Sequence, residues 1–400
     1  MLRTGTFALT IMLAALSAVG PLSTDMYLPS LPDIARQLDA STAQVQLTIS
    51  AYLVGFAVGQ IVYGPMSDRH GRKPVLLSAL ALYCAASLAC ALSTSIEMLI
   101  VARFAQALGG SGGIVLARAI VRDLYSGARA GRELSLIGSV MALAPVLAPL
   151  AGGVLQTGFG WRSIFIVLVA TGLTGTAIVL PLLPETLAAR AAEPVSPSTM
   201  LKSYRVVARH PAYLAYLGLA TTSFAGLFAW ISGTSFVLQN LYGLSPFNFG
   251  IAFAVGSVGY MIGATLAARL VMRLGIDRTL GVGAGAMAAG GLGMVAAVAF
   301  GLTSAVSLVL PMAIYLGGLG MVLPQAIAGA MTPFPERAGT ASALLGFIQQ
   351  SAAALCGAVV GWLLGENAWP LAAAVAAMGC ATLVIWITTR ALRARAGVRH

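Results

Sequence analysis

Long stretches without any charged side chain are the feature that most restricts this chain. No residue between Arg3 and Asp25 is charged, and similar apolar runs recur along all 400 residues. An uncharged apolar run of roughly 18 or more residues predicts a transmembrane helix, because about 20 helical residues span the hydrocarbon core of a bilayer. Only 9% of the residues are charged, against about 25% in a soluble domain. We therefore predict an all-α integral membrane protein.

Turn-forming residues divide the apolar sequence into twelve predicted transmembrane helices. No A-x-A-like cleavage site follows the first apolar run, so we expect the first helix to be retained. The longest polar stretch follows the sixth helix, which predicts two pseudo-symmetric six-helix bundles, 1–183 and 211–400, joined by a cytoplasmic linker at 184–210. The twelve predicted helices are 6–28, 44–65, 74–93, 97–119, 133–156, 162–183, 211–239, 247–270, 279–301, 305–330, 338–363 and 368–390.

The positive charges predict the orientation of these helices. A formal net charge of +11 suits either a nucleic acid or a membrane surface as a partner. The cations form no continuous stripe of the kind that binds nucleic acid, but cluster in alternate connections between apolar segments. With both termini in the cytoplasm, 20 of the 23 Lys and Arg residues face inward, as the positive-inside rule requires. We expect the lipid bilayer as a partner and no nucleic acid; the remaining three cations are Arg36, Arg103 and Arg162.

Residue types that support catalysis or cofactor binding are scarce. The four cysteines lie within apolar runs without CxxC spacing and the three histidines lie in polar segments, so neither set predicts a metal site. The chain contains no H-E-x-x-H, no obvious Ser/His pair and no G-x-x-x-x-G-K-[ST] sequence. We therefore expect no enzyme activity, no cofactor, no metal and no drive by ATP within this chain.

A short internal repeat supports the division into two halves. The connection after the second predicted helix reads GPMSDRHGRK, and the one after the eighth reads ARLVMRLGIDR. Placing Gly71 on Gly275 also places Arg69 on Arg273, an offset of 204 residues, which is about half the chain. Repeated halves are typical of secondary transporters, whose substrate sites lie between the repeats near the middle of the bilayer.

The connection at 64–73 resembles the G-x-x-x-D-[RK]-x-G-[RK]-[RK] loop of the major facilitator superfamily. A merely basic connection would not require glycines and an acid at these fixed positions. We expect Gly64 and Gly71 to permit close backbone packing and Arg72 to pair with Asp123. The resemblance implies a major facilitator fold, with a conformational motif that favours the outward-open state and comprises Gly64, Asp68, Arg69, Gly71, Arg72, Lys73 and Asp123.

Helix four carries a cation inside an apolar span. Its sequence RFAQALGGSGG begins at Arg103 and is similar to the R-x-x-Q-G segment of the same superfamily, with Ala107 where glycine is usual. A charge at the centre of a membrane helix costs about 2.5–3.5 kcal/mol on insertion scales, so charges within membranes normally indicate function. The alternative is that Arg103 extends to the outer membrane interface as an anchor.

Helix five contains APLAGG at 148–153, which resembles the G-P-x-x-G-G element of antiporters, with Ala148 in place of the first glycine. Pro149 bends the helix because it frees a backbone carbonyl. Gly152 and Gly153 allow tight contact with a neighbouring helix. Ordinary helix packing explains the same residues.

Four longer segments resemble the bicyclomycin/chloramphenicol-resistance (Bcr/CflA-type) branch of this superfamily. They are STDMYLPSLPDIA, ARAIVRDLY, GTSFVLQNLYGLSP and AGTASALLGFIQQ, and they lie in both halves. The resemblance implies that Asp25, on helix one, carries the proton in exchange for drug and that Arg103 lies near it. The alternative is that Asp25 only caps or solvates the outer end of helix one.

Substrate contacts are predicted from residue type alone. Aromatic and amide side chains offer a large apolar contact area with a few polar groups, although aromatic residues in membrane helices also serve in packing and at the lipid interface. Arg118 either attracts polar or anionic substrates or anchors the inner membrane boundary. The candidates are Tyr27, Tyr52, Arg118, Phe224, Phe228, Trp230 and Gln349.

The resemblance implies a proton-coupled multidrug efflux transporter that works by alternating access. Its expected substrates are small amphiphilic antibiotics of the phenicol or bicyclomycin type, and its expected place is the bacterial inner membrane, as a monomer. The alternative on the same fold is an exporter or symporter of a metabolite such as a sugar or amino-acid derivative. A channel or receptor fits poorly with the repeat and the loop motif.

Overall fold

The computed structural model describes residues 7–125, 127–141, 143–187, 197–334, 337–365 and 367–397, and the regular structure in these ranges is helical. The chain divides into two compact units, 1–195 and 196–400. The predicted linker contains this division, and the predicted bounds of the bundles and linker stay predictions. The prediction of an all-α membrane fold is confirmed.

The first unit is built from eight described α-helices and one short 3₁₀ turn, Leu28–Ser30, between the first two. A Ser41–Gln44 capping box begins the third helix, and the Ser95 side chain accepts the Met98 backbone N–H at the start of the fifth. The helices are α1 (Phe7–Asp25), α2 (Leu31–Gln37), α3 (Thr42–His70), α4 (Arg72–Ala91), α5 (Ile96–Leu124), α6 (Gly127–Met141), α7 (Ala144–Phe159) and α8 (Trp161–Leu182).

The second unit continues the same pattern. A five-residue π-helix, Val237–Leu241, prolongs its second helix, and the Ser245 side chain accepts the Asn248 backbone N–H where the third begins. The helices are α9 (Pro197–Ala208), α10 (Pro211–Phe236), α11 (Pro246–Ala299), α12 (Ala305–Met331), α13 (Ala338–Leu363), α14 (Trp369–Thr388) and α15 (Arg390–Gly397).

The predicted eighth and ninth helices form one helical run, α11. A straight helix of its 54 residues would be about 80 Å long, more than twice the roughly 30 Å core of a bilayer. Gly275 breaks the run with φ 78° and ψ 170°, a left-handed conformation that favours glycine. The run therefore consists of two spans, 246–274 and 276–299, joined without a loop.

The predicted fifth helix, 133–156, is interrupted rather than continuous. It comprises α6 and α7, and Pro145 lies in the first turn of α7. Proline lacks a backbone N–H and fits the first turn of a helix far better than its interior, so a new helix begins there. Residue 142 lies outside the described residues.

Ten helical segments of the described chain are long and apolar enough to cross a membrane. The number of such segments is two lower than the number of predicted helices, for two reasons. The run α11 contains two spans but is continuous, and α7, with 16 residues, is shorter than the roughly 20 residues that a span requires.

The internal repeat has a structural counterpart. Gly71 and Gly275 both have positive φ, at 100° and 78°. The N-caps Ser41 and Ser245 have the same φ of −67° and ψ of 157°, and they are separated by the same 204 residues as the two glycines. Each unit therefore contains an equivalent capped helix that ends at an equivalent glycine turn.

Glycines allow the helices of the second unit to approach closely. A Cβ atom at Gly263 in α11 would overlap the carbonyl oxygen of Gly317 in α12. Around Gly285, elsewhere on α11, no described atom beyond its own turn of helix lies within 4 Å of the Cβ position. The two glycines thus differ in packing while sharing one helix.

We expect Gly263→Ala to destabilise the protein and Gly285→Ala to leave it unchanged or slightly more stable. Forcing α11 and α12 apart should cost about 1–3 kcal/mol, whereas alanine at an open helical position gains up to about 1 kcal/mol from helix propensity. Thermal unfolding of the two purified variants in detergent measures both effects. Equal melting temperatures would show that the contact between α11 and α12 does not need glycine.

Candidate functional site

Asp25 lies where the first membrane helix breaks. It is the last residue of α1, and the chain then forms the 3₁₀ turn that contains Pro29 before α2 begins with Pro32 at its second position. Prolines without backbone donors favour a new helical start over continuation of α1. The Asp25 residue is 6% exposed. Its carboxyl group is therefore enclosed by protein at a helix end, rather than solvated.

Arg103 is enclosed by aromatic rings at the same end of the unit. It is fully buried, with 0% exposure, so it is not an interfacial anchor. Its guanidinium carbon lies 4.5 Å from the ring centroid of Tyr27 and 4.2 Å from that of Tyr52. The faces of both rings attract the cation, and this attraction is strongest where water is excluded.

Hydrogen bonds satisfy only part of this guanidinium. Its Nη1 atom donates to the Ser23 carbonyl oxygen at 3.1 Å and to Gln106 Oε1 at 2.6 Å. The Nε and Nη2 atoms have no hydrogen-bond partner among the described residues, and no ion pair there joins Arg103 to Asp25. A buried cation thus keeps two nitrogen atoms, with three N–H groups, that an acceptor group can occupy.

Hydroxyl groups fix the rings around this cation. Tyr27 and Thr48 share a hydrogen bond of 2.8 Å between their hydroxyl oxygens, and the Tyr52 hydroxyl donates to the Gly20 carbonyl at 3.0 Å. We call Ser23, Tyr27, Tyr52, Arg103 and Gln106 the Arg103 cluster. It connects α1, α3 and α5, and Asp25 lies two residues from Ser23.

The antiporter-like segment of α7 packs against the residue that follows Asp25. A Cβ atom at Gly152 would overlap the carbonyl oxygen of Met26, so only glycine permits this contact. Pro149 and Gly153 are also buried in this helix. The segment therefore holds the break after α1 in place, which is a packing role consistent with either interpretation of the motif.

A second polar cluster surrounds Arg72. Its Nε donates to Asp123 Oδ2 at 2.8 Å, and its Nη1 donates to Asp68 Oδ1 and to Ser67 Oγ, both at 2.6 Å. The expected ion pair between Arg72 and Asp123 is therefore present. We call Ser67, Asp68, Arg72, Asp123 and Glu185 the Arg72 cluster. Because bidentate and charge-assisted bonds are the strongest hydrogen bonds, this cluster joins α3, α4 and α5 firmly.

The other members of the loop motif have unequal surroundings. Gly71 has φ 100°, and a Cβ atom there would lie 2.5 Å from Glu185 Oε2. The expectation of close packing at Gly64 is wrong, since no described atom lies within 4 Å of its Cβ position. Lys73 Nζ donates to the Leu180 carbonyl at 2.8 Å, and Arg69 is exposed.

A family model described as Major Facilitator Superfamily matches residues 13–357. The chain belongs to this superfamily. The Bacillus subtilis protein named uncharacterized MFS-type transporter YdgK is 36% identical over 90% of this chain and 89% of its own length. The Escherichia coli multidrug resistance protein D is 31% identical over 95% of both proteins. The Haemophilus influenzae bicyclomycin resistance protein homolog is 29% identical over 98% of both proteins.

Solved structures support the fold. The peptide transporter POT in complex with sulfate has a TM-score of 0.77 with 16% identity, and the alignment covers 99% of this chain and 97% of that one. At this identity the likeness concerns the fold alone. The chain is therefore a multi-pass major facilitator transporter, and transporters of this family are not enzymes.

The predicted substrate residues of this transporter fall into separate groups. Tyr27 and Tyr52 belong to the Arg103 cluster, and Arg118 is exposed on α5. In the second unit, Phe224 and Phe228 pack with ring centroids 4.9 Å apart. Trp230 is 1% exposed, and Gln349 Nε2 donates to the Ala220 carbonyl at 3.4 Å.

Glu185 is a member of the Arg72 cluster that sequence analysis missed. Its carboxylate accepts the backbone N–H of Arg72 at 2.9 Å and of Lys73 at 3.2 Å, so it caps the start of α4. The N–H groups of Thr186 and Leu187 add two bonds of 3.0 Å. The sequence feature that could have identified Glu185 is an acid just after the sixth predicted helix, with no cation beside it in the sequence.

The second unit has its own ion pair, between a buried arginine and a partly exposed aspartate, which sequence analysis also missed. Arg393 Nη2 lies 2.7 Å from Asp277 Oδ1, and the Arg393 side chain is 1% exposed. Asp277 follows the glycine turn at Gly275, so the pair joins this turn to α15. The internal repeat at Gly275 indicated the turn. Nothing in the sequence indicated that Asp277 pairs with Arg393, which lies 116 residues away.

Glu185 should make stability depend on pH. Burial by itself raises the pKa of this carboxyl, but four backbone N–H groups bond to the carboxylate and leave its pKa below the ordinary value of 4.5. A carboxyl whose pKa is lowered on folding stabilises the protein above its ordinary pKa, and this contribution disappears as the pH falls through the folded-state value. We expect Glu185→Gln to melt slightly below the wild type at neutral pH, with a difference that shrinks as the pH falls below 4.5 and vanishes below the folded-state pKa.

Glu97→Gln is the matched control, because Glu97 is an exposed acid in the first turn of α5. Its effect on the melting temperature should be smaller at every pH. A Glu185→Gln difference that persists unchanged in acid would contradict the capping role of the carboxylate.

Arg103→Lys should destabilise the protein although the charge is kept. Lysine presents no flat face to two rings and cannot reproduce the geometry of the guanidinium bonds, so we expect a loss of about 1–3 kcal/mol in the free energy of unfolding. Thermal unfolding in detergent measures it. Arg36→Lys is the control, because Arg36 is an exposed cation with one surface ion pair; equal effects of the two changes would contradict the role of the rings.

Proposed function

We propose that this transporter exports small amphiphilic compounds of the phenicol or bicyclomycin type in exchange for protons. The observation that carries the proposal is similarity along 95% or more of the chain to proteins named for bicyclomycin and multidrug resistance. A buried acid and a buried arginine at one end of α1 supply the chemistry that such an exchange needs.

In this proposal Asp25 is the group whose charge changes during the cycle. It binds a proton while the site is open to the outside and releases it when substrate displaces it or when access changes. The unused donor atoms of Arg103 stabilise the ionised Asp25 carboxylate once the proton has left. Tyr27 and Tyr52 provide the apolar walls beside these donors. The exchange follows because donor groups of the substrate bind the ionised Asp25 carboxylate, so the substrate and the proton compete for the same group.

The Arg72 cluster would make the helices of the first unit move together. Its bonds join α3, α4 and α5 with the segment after α8, so displacement of one helix displaces the others. We propose that the loop motif around this cluster favours the outward-open state. Phe224, Phe228, Trp230, Gln349 and Arg118 are proposed as further substrate contacts.

The proposed setting is a bacterial inner membrane, with both termini in the cytoplasm and the protein acting as a monomer. The support is the clustering of cations in alternate connections, because the positive-inside rule favours the cytoplasm for such connections. The Bacillus subtilis relative, at 36% identity, has a name that specifies no substrate. A sugar or amino-acid derivative is therefore the second candidate substrate and belongs in the same panel of compounds.

Asp25→Asn should abolish proton-driven efflux, because the amide cannot exchange a proton. The protein is expressed in a host that lacks its own pumps, and drug resistance and accumulation are measured with the proton gradient intact and collapsed. Wild-type protein should lower drug accumulation only when the gradient is intact. Resistance in the Asp25→Asn variant should fall to the level of the host.

Asp39→Asn is the matched control on the connection that follows α2. Asp39 is exposed and has φ 48°, a conformation that asparagine also adopts readily. It should retain wild-type resistance. Full resistance in the Asp25→Asn variant would remove Asp25 from the mechanism, and transport of metabolites but no drug would favour the second candidate.

A further inference from the structure

Helix α4 closes a ring of hydrogen bonds around Arg103. Gln106 Nε2 donates to Ser87 Oγ at 2.8 Å, and the Ser87 hydroxyl donates to the Tyr83 carbonyl at 2.7 Å. The Tyr83 hydroxyl shares a hydrogen bond of 2.7 Å with Ser23 Oγ, and the Ser23 carbonyl accepts from Arg103. All five residues are fully buried, with 0% exposure. The Arg103 cluster is therefore connected to two α4 residues, Tyr83 and Ser87, that sequence analysis did not identify.

The partners in this ring allow one orientation of the Gln106 amide. Arg103 offers only N–H donors, so the amide oxygen must face it. The Ser87 hydroxyl already donates its hydrogen to the Tyr83 carbonyl. Ser87 can therefore only accept, and the amide nitrogen must face it. The opposite orientation would bring two donor groups together at Arg103.

Ser87 is the residue that holds this amide in place. The last torsion of a glutamine side chain is broad and roughly two-fold, so a bond at the nitrogen is needed to fix the plane of the amide. The Cys90 thiol donates weakly to Gln106 Oε1 at 3.9 Å, and it does not hold the nitrogen. A Cβ atom at Gly109 would overlap the backbone nitrogen of Tyr83, so glycine lets α4 approach α5 closely enough for the Ser87 bond.

A neutral amide orients Arg103 without cancelling its charge. An acid at position 106 would form an ion pair with the guanidinium, whereas glutamine supplies an acceptor that has no negative charge. Nη1 is held by Gln106 and by the Ser23 carbonyl, and Nε and Nη2 remain open. Because the guanidinium is planar and rigid, fixing Nη1 also fixes the directions in which the open nitrogens donate.

We propose that Ser87 is a positioning residue for proton exchange, because it fixes the Gln106 amide that directs Arg103 to stabilise the ionised Asp25 carboxylate. The proposal rests on the proposed function. Without the Ser87 hydroxyl the amide rotates more freely, and the guanidinium loses a fixed acceptor. The ionised form of Asp25 is then less stabilised. Since substrate and proton compete for this carboxylate, removal of Ser87 favours the proton.

The pH dependence of drug binding tests this inference. Purified protein in detergent is titrated with a phenicol that carries no charge between about pH 5 and pH 8, and Kd is measured across this range. The drug binds the fraction of protein in which Asp25 is ionised, so the apparent Kd rises as the pH falls. We expect Ser87→Ala to raise Kd about tenfold at the acid end, which corresponds to about one pH unit, and to leave Kd unchanged at the alkaline end.

Other titratable groups beside Arg103 do not account for such a change. The described titratable side chains that interact electrostatically with Arg103 are three tyrosines and a cysteine, namely Tyr27, Tyr52, Tyr83 and Cys90. Tyrosine and cysteine ordinarily titrate near pH 10 and about pH 8.5. Asp25 is a carboxyl group that interacts with Tyr52. An effect confined to acid pH therefore reports on Asp25.

Ser17→Ala is the matched control. Ser17 is a serine of α1 with 1% exposure, and its hydroxyl donates to the Leu13 carbonyl of the same helix at 2.8 Å. This variant should have the wild-type Kd at every pH. In a Gln106→Leu background, where the amide is absent, Ser87→Ala should have no further effect. Melting temperatures show that each variant is folded.

Three results for Ser87→Ala would overturn the inference. They are an unchanged Kd, a Kd raised equally at every pH, and an acid effect that is the same with and without Gln106. A wild-type Kd that does not depend on pH would instead overturn the proposed function, because drug and proton would not compete.

Discussion

Hydrocarbon cannot hydrogen-bond to a polypeptide, and this constraint underlies every feature of the protein. Backbone groups in a bilayer must bond within the chain, so each span is helical. Helix ends then need side-chain partners, which Ser41, Ser95 and Ser245 supply as N-caps and Glu185 supplies as an anion at the start of α4. The same absence of water makes any buried charge costly unless it is paired or used.

The charges buried in the two units follow from that cost. Arg72 and Arg393 each lie against an acid in their own unit, at distances of 2.8 Å and 2.7 Å. Arg103 has rings, a carbonyl and an amide in place of an acid, and it keeps unused donors. Asp25 is a buried acid without a described cation. The paired charges are suited to holding helices together, and the unpaired ones to exchanging partners.

Glycine determines where helices meet or turn. Gly152 brings α7 against the carbonyl after Asp25, and Gly263 brings α11 against α12. Gly71 and Gly275, with positive φ, turn the chain between consecutive spans in the two units. A side chain at the first two positions would separate the helices, so the position of Asp25 depends on glycine in another helix.

The sequence alone determined the membrane class, the helical fold, the repeat and the family, because hydropathy and motif spacing are properties of neighbouring residues. It also predicted the ion pair between Arg72 and Asp123. It misjudged Gly64, and it predicted separate eighth and ninth helices where Gly275 turns the chain within a single residue.

Only the tertiary structure decided which polar groups meet. Arg103 lies between Tyr27 and Tyr52, Glu185 caps a helix that begins 113 residues earlier, and Glu133 contacts Thr10 across 123 residues. No local pattern encodes these partners, because a hydrogen bond depends on the packing of whole helices. The apolar faces that set this packing are so uniform in a membrane protein that many pairings fit the same hydropathy.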